Sequence, residues 1–88
     1  MGSTTTPVPR SDLEERLGAQ FRNERKRNRV LLRDLAKALG VSVNTVRWHE
    51  YGARLMRADL IVRSAQIIGV DPCALIDTRQ ENKETNDA

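Results

Sequence analysis

The chain has 88 residues, enough for one domain and one core, with 39% hydrophobic residues but only one Phe, one Trp and one Tyr. Its single cysteine excludes an internal disulfide, and no apolar run is long enough for a transmembrane helix. The net charge of +3 is uneven: Leu13 to Ile76 holds twelve bases against seven acids, whereas residues 77–88 hold two against four, so the middle of the chain suits a polyanionic partner.

Residues 1–10 are rich in Thr and Pro without periodicity and read as a disordered arm, lacking the basic and apolar regions of a signal peptide. A folded domain is expected over residues 11–76. Ser11, three residues before Glu14, fits a capping box. The helix it opens runs to about Arg27, with Leu13, Leu17 and Phe21 as the expected buried stripe. Asn28-Arg29 is a short connection. Helix two is expected over roughly Leu31 to Leu39, and helix three over roughly Val43 to Tyr51, ended by Gly52.

Between these two helices, Gly40 follows Leu39 where a chain leaving a helix needs positive φ, and Ser42 is placed to cap the next helix. Leu35, Leu39, Val41 and Val46 are apolar where two steeply crossing helices meet, and Ala36 is small where they must come close. This is helix-turn-helix patterning. Ala53 to Met56 form a loop. A fourth helix covers about Arg57 to Ile68, with Leu60, Ile61, Ala65 and Ile68 facing inward and Gly69 ending it. Asp71 as N-cap and Pro72 at the first helical position start a last short helix carrying Leu75 and Ile76. Residues 77–88 read as a polar, flexible tail. Nothing alternates with period two, so the expected class is all-α.

From Leu17 to Ile76 the chain resembles the Cro/cI-type, Xre-like helix-turn-helix domains of phage repressors and small bacterial regulators. The resemblance rests on Leu35-Ala36, Gly40-Val41-Ser42, Val46, Glu50-Tyr51-Gly52 and Ala65-Gln66-Ile67-Ile68-Gly69-Val70. It implies a five-helix, lambda-repressor-like DNA-binding domain with the helix-turn-helix at helices two and three. Two positions depart from the pattern. Leu32 stands where a polar, phosphate-touching residue is common, which passes that contact to Arg33 or the helix-two amides. His49 stands where an apolar residue or Trp is usual.

The resemblance places helix three in the major groove of double-stranded DNA. Val43, Asn44, Thr45, Arg47 and Trp48 are then the candidate base-contacting set. Asn can pair with adenine and Arg with guanine, and the Val43 side chain or the Thr45 methyl can meet a thymine methyl. Trp48 is expected at the groove edge, against the sugar–phosphate backbone, rather than in the core. Arg27, Arg29, Arg33, Arg54 and Arg57 bracket the motif as candidate phosphate contacts. Arg25 and Glu50 are expected to form a structural ion pair bracing the recognition helix.

His49 reads as a neutral residue filling an apolar slot, and Cys73 as buried filler or an interface residue rather than a redox sensor. Homodimerisation on an inverted-repeat operator is implied, with Ile67, Pro72, Cys73 and Ile76 as the candidate dimer surface and Leu75 in the core. No metal, cofactor, small-molecule ligand or membrane partner is expected, and no catalytic constellation is present. The implied role is a cytoplasmic, nucleoid-associated transcriptional regulator resembling small controller and repressor proteins. The alternative is an Xre-type antitoxin that binds a toxin and its own promoter.

Overall fold

The structure, a computed structural model, describes residues 8–79. The expected arm over 1–10 and tail over 77–88 therefore lie mostly outside the described residues. Within them are five helices and no strand: α1 Asp12–Arg27, α2 Leu32–Leu39, α3 Val43–Glu50, α4 Ala58–Ile68 and α5 Pro72–Leu75. The helices are those the sequence predicts, shifted by one residue at three ends, where terminal turns are loosely defined.

The local signals act as the residue types require. Ser11 Oγ accepts from Glu14 N at 3.2 Å, Ser42 Oγ from Thr45 N at 3.1 Å, and Asp71 Oδ1 from Cys73 N at 2.8 Å. Acids in the first turn of α1 and bases in its last complement the helix dipole. Gly40 has φ +77, and there Val41 N reaches back to Ala36 O at 3.0 Å while Gly40 N bonds Lys37 O at 3.1 Å. That closed C-cap turns the chain sharply into α3.

Phe21, Leu35, Ala36, Leu39, Val46, Ala65, Ile68 and Leu75 form the core, flanked by half-buried Val30, Leu32, Val41, Met56, Leu60, Ile61 and Val70. Helix α1 packs on α3 and α5, α2 on α3 and α4, and α4 on α5. Each fully buried Leu, Val or Phe side chain contributes about 1.5–3 kcal/mol, so Leu35, Val46 and Leu75 hold the helices together.

The buried line of α1 differs from the expected stripe. Leu13 is 51% exposed and Leu17 is half-buried; Gly18, Phe21, Glu24 and Arg25 lie inside instead. The cause is a close helix crossing. A Cβ built on Gly18 would lie 2.5 Å from the His49 carbonyl oxygen and 2.7 Å from the Glu50 carbonyl carbon. A glycine inside a helix costs about 1 kcal/mol relative to alanine; here it lets the α1 backbone press against the end of α3.

Candidate nucleic-acid interface

Helix α3 is anchored by one face and displays the other. Val46 is fully buried, and His49 and Glu50 are buried at its end. Val43, Asn44, Arg47 and Trp48 are exposed together. The sequence-predicted set thus shares one outer surface, except that Thr45 is half-buried. The Thr45 hydroxyl is also 2.8 Å from Ser42 Oγ, within the N-cap.

The displayed side chains contact one another and the loop that follows α3. Arg47 Nη1 donates to Asn44 Oδ1 at 3.3 Å, one helical turn away. Trp48 lies at the surface and not in the core, with the Arg54 guanidinium 5.7 Å from its ring centroid. This is a cation–π stack. Arg54 thus grips the recognition helix, a role that the sequence did not suggest.

His49 fills its inward slot by bonding Nδ1 to the Arg54 carbonyl oxygen at 2.9 Å. A carbonyl only accepts, so Nδ1 carries the proton in the neutral ring. Burial pushes the imidazole below its ordinary 6.5, partly opposed by the bond to the Arg54 carbonyl. His49 also lines an apolar cleft of about 90 Å³ with Leu17, Phe21, Met56, Ile61 and Leu75.

The inner end of α3 is tied to α1. Arg25 Nε and Nη2 reach the two Glu50 carboxylate oxygens at 2.6 and 3.2 Å, and Arg25 Nη1 reaches the Val30 carbonyl at 2.8 Å. Arg22 stacks over Tyr51, 5.5 Å from its centroid, and Arg10 N bonds Gly52 O at 2.9 Å. These contacts and the Gly18 crossing join residues far apart in sequence. The Arg25–Glu50 pair is the one that the family resemblance implies; Gly18, a glycine interrupting a helical pattern, is the signal that could have pointed to the close crossing.

The five candidate phosphate-contacting arginines are all exposed, but their charges are differently engaged. Arg27 pairs with Glu24 at 3.1 Å, and Arg57 with Asp59 at 3.3 Å. Arg54 stacks on Trp48. Arg29 and Arg33 have no carboxylate partner among the described residues. Leu32 packs against the core and leaves the neighbouring Arg33 exposed at the start of α2. The α2 N-cap, Leu31, offers no side-chain acceptor to the amides there.

The candidate dimer residues lie at the end of α4 and on or next to α5. Ile67, Cys73 and Ile76 are exposed and Pro72 is half-buried. The exposure of Cys73 overturns its reading as buried filler: α5 is one short turn, and the inward position on it goes to Leu75. Among the described residues no group of three His, Cys, Asp or Glu is arranged to hold a metal ion, and no helix is long and apolar enough to cross a membrane.

A family model described as a helix-turn-helix domain matches residues 16–75, spanning α2, the Gly40 turn and α3. The chain belongs to the helix-turn-helix domain family. This helix-turn-helix domain is also similar to solved structures of the clp gene regulator ClgR from Corynebacterium glutamicum. One has TM-score 0.73 and 26% identity, covering 89% of this chain and 83% of that one. A second has TM-score 0.72 and 29% identity, covering 81% of this chain and 94% of that one. No curated protein matches the chain.

Proposed function

We propose that this helix-turn-helix domain is a sequence-specific transcriptional regulator that binds an inverted-repeat operator as a homodimer, with α3 in the major groove. The observation that carries the reading is the two-sidedness of α3: Val46 is fully buried while Asn44, Arg47, Val43 and Trp48 stand exposed together. Arg47 takes guanine O6 and N7, Asn44 takes adenine N6 and N7, and Val43 meets a thymine methyl. Trp48, held by Arg54, lies along the sugar–phosphate backbone at the groove edge.

Arg33 and Arg54 position the domain on phosphates, and Arg27 and Arg57 exchange their carboxylate partners for phosphates on binding. One short helix reads only a few base pairs, so a second copy doubles the footprint. Exposed Ile67, Cys73 and Ile76, with Pro72, are the surface we assign to that second copy. Similarity to a gene regulator, ClgR, supports the regulatory role.

Selection of bound sites from random duplex DNA tests this reading. The expected product is a two-fold symmetric motif with half-sites about one helical turn apart, bound by a dimer in sedimentation. Recovery of no enriched motif, or of an asymmetric site bound by a monomer, overturns it.

A further inference from the structure

Arg29 is the one non-glycine residue with positive φ among the described residues, at φ +61. It stands just past the end of α1, in a closed cap where Val30 N bonds Arg25 O at 3.1 Å and Arg29 N bonds Lys26 O at 3.0 Å. That cap needs a left-handed residue, and the position is usually glycine, sometimes asparagine, because a Cβ crowds the following carbonyl. The residue before it is an asparagine: Asn28 bonds the Glu24 carbonyl through its side chain at 2.8 Å. The left-handed place itself goes to a long cation.

The fold makes no visible use of that cation. In the basic run from Arg25 to Arg29, Arg25 is spent on Glu50 and Arg27 on Glu24. Arg29 is exposed, with no carboxylate partner and no side-chain hydrogen bond among the described residues. The α1 dipole does not call for it either, since Arg25, Lys26 and Arg27 already fill the last turn. A fourth cation there adds repulsion. The left-handed turn serves the cap, but a long cation in place of glycine adds strain from which the fold draws no contact, and such strain points to function.

We infer that Arg29 is a DNA-phosphate grip held in a strained backbone conformation, so that at this one position folding stability is given up for affinity. The inference rests on the DNA-binding reading above and adds to it an opposition between stability and binding at the α1–α2 turn. A phosphate contact carries no sequence information. The gain therefore applies to any duplex, and adds about 0.9 to the salt dependence of binding.

The test compares wild type with Arg29→Gly, Arg29→Asn and Arg29→Lys, none of which disturbs the core. Thermal melts and binding at several salt concentrations are measured on both the selected duplex and a scrambled one. Arg29→Gly is expected to raise Tm by about 4 °C or more, yet to weaken binding to both duplexes by the same factor, at least threefold, with a salt slope smaller by about one. Arg29→Asn moves both quantities in the same directions, less in Tm. Arg29→Lys keeps wild-type Tm and most of the affinity.

A Gly variant that is more stable and binds equally well overturns the inference, as does one that is less stable. A loss confined to the selected duplex also overturns it, since that marks a base contact. Failure of the wild type to prefer its selected duplex sinks the sequence-specific reading instead, and leaves the Arg29 comparison readable on the scrambled one.

Discussion

Arg25 and Glu50 form a buried two-pronged ion pair, Nε to Oε2 at 2.6 Å and Nη2 to Oε1 at 3.2 Å, across the junction of α1 and α3. The Arg25 fork is completed by the Val30 carbonyl at 2.8 Å, which ties the same junction to the turn before α2. A buried pair adds little over well-packed apolar residues, but breaking it leaves an uncompensated charge. Glu50→Ala is therefore expected to cost about 3–5 kcal/mol. Arg25→Met with Glu50→Leu should cost less than the sum of the two single changes, as measured by urea unfolding. Additive losses would contradict a coupled pair.

Gly18→Ala should behave opposite to an ordinary glycine-to-alanine change inside a helix. The added methyl meets the backbone carbonyls of His49 and Glu50, which have nowhere to retreat. Overpacking of this kind costs about 1–3 kcal/mol. A thermal melt checks it, and an unchanged or raised Tm would show that α1 and α3 can separate freely.

The His49 imidazole has a folded-state pKa below its ordinary 6.5, chiefly because burial disfavours the charged ring. As pH falls through 6.5 the unfolded chain takes up the proton first, so stability present above 6.5 is progressively lost until the folded-state value is reached. Tm should therefore drop between pH 7.5 and 5. In His49→Gln the drop should be smaller than in the wild type. An equal drop in the variant would assign it to other groups.

Much of the fold is legible in the chain because its signals are local. Ser11, Ser42, Asp71 and Pro72 act within one turn of themselves, and Gly40 imposes its own φ. Apart from the Arg25–Glu50 pair, which the family resemblance implies, what escaped is what depends on distant partners. The α1 stripe was misplaced toward Leu13 because an apolar pattern does not register Gly18, Glu24 or Arg25 as interior residues. Glu24 is buried because Gln20 and Arg27 both bond it, and Gln20 in turn bonds the Ala74 carbonyl at 2.7 Å. The outer face of α3 follows from the position of buried Val46. The stacking of Arg54 on Trp48 does not, since it depends on the loop path after α3.

Ser64 offers a test of the interior. It is fully buried on α4, and its hydroxyl has no hydrogen-bond partner among the described residues. Leaving such a group unsatisfied costs about 1–3 kcal/mol. Ser64→Ala should therefore be neutral or stabilising in urea unfolding, and a clear loss of stability would show that the hydroxyl is satisfied after all.

The most direct measurement is the affinity of Arg47→Ala for the selected duplex and for a scrambled one, beside the wild type. Arg47 is exposed and, among the described residues, its side chain bonds only Asn44, so the variant should fold normally. Loss of a bidentate guanine contact costs about 1–3 kcal/mol, so binding to the selected duplex should fall by at least fivefold while binding to the scrambled duplex changes much less. Equal footprints of variant and wild type on the same operator at the same concentration would contradict sequence reading by the outer face of α3.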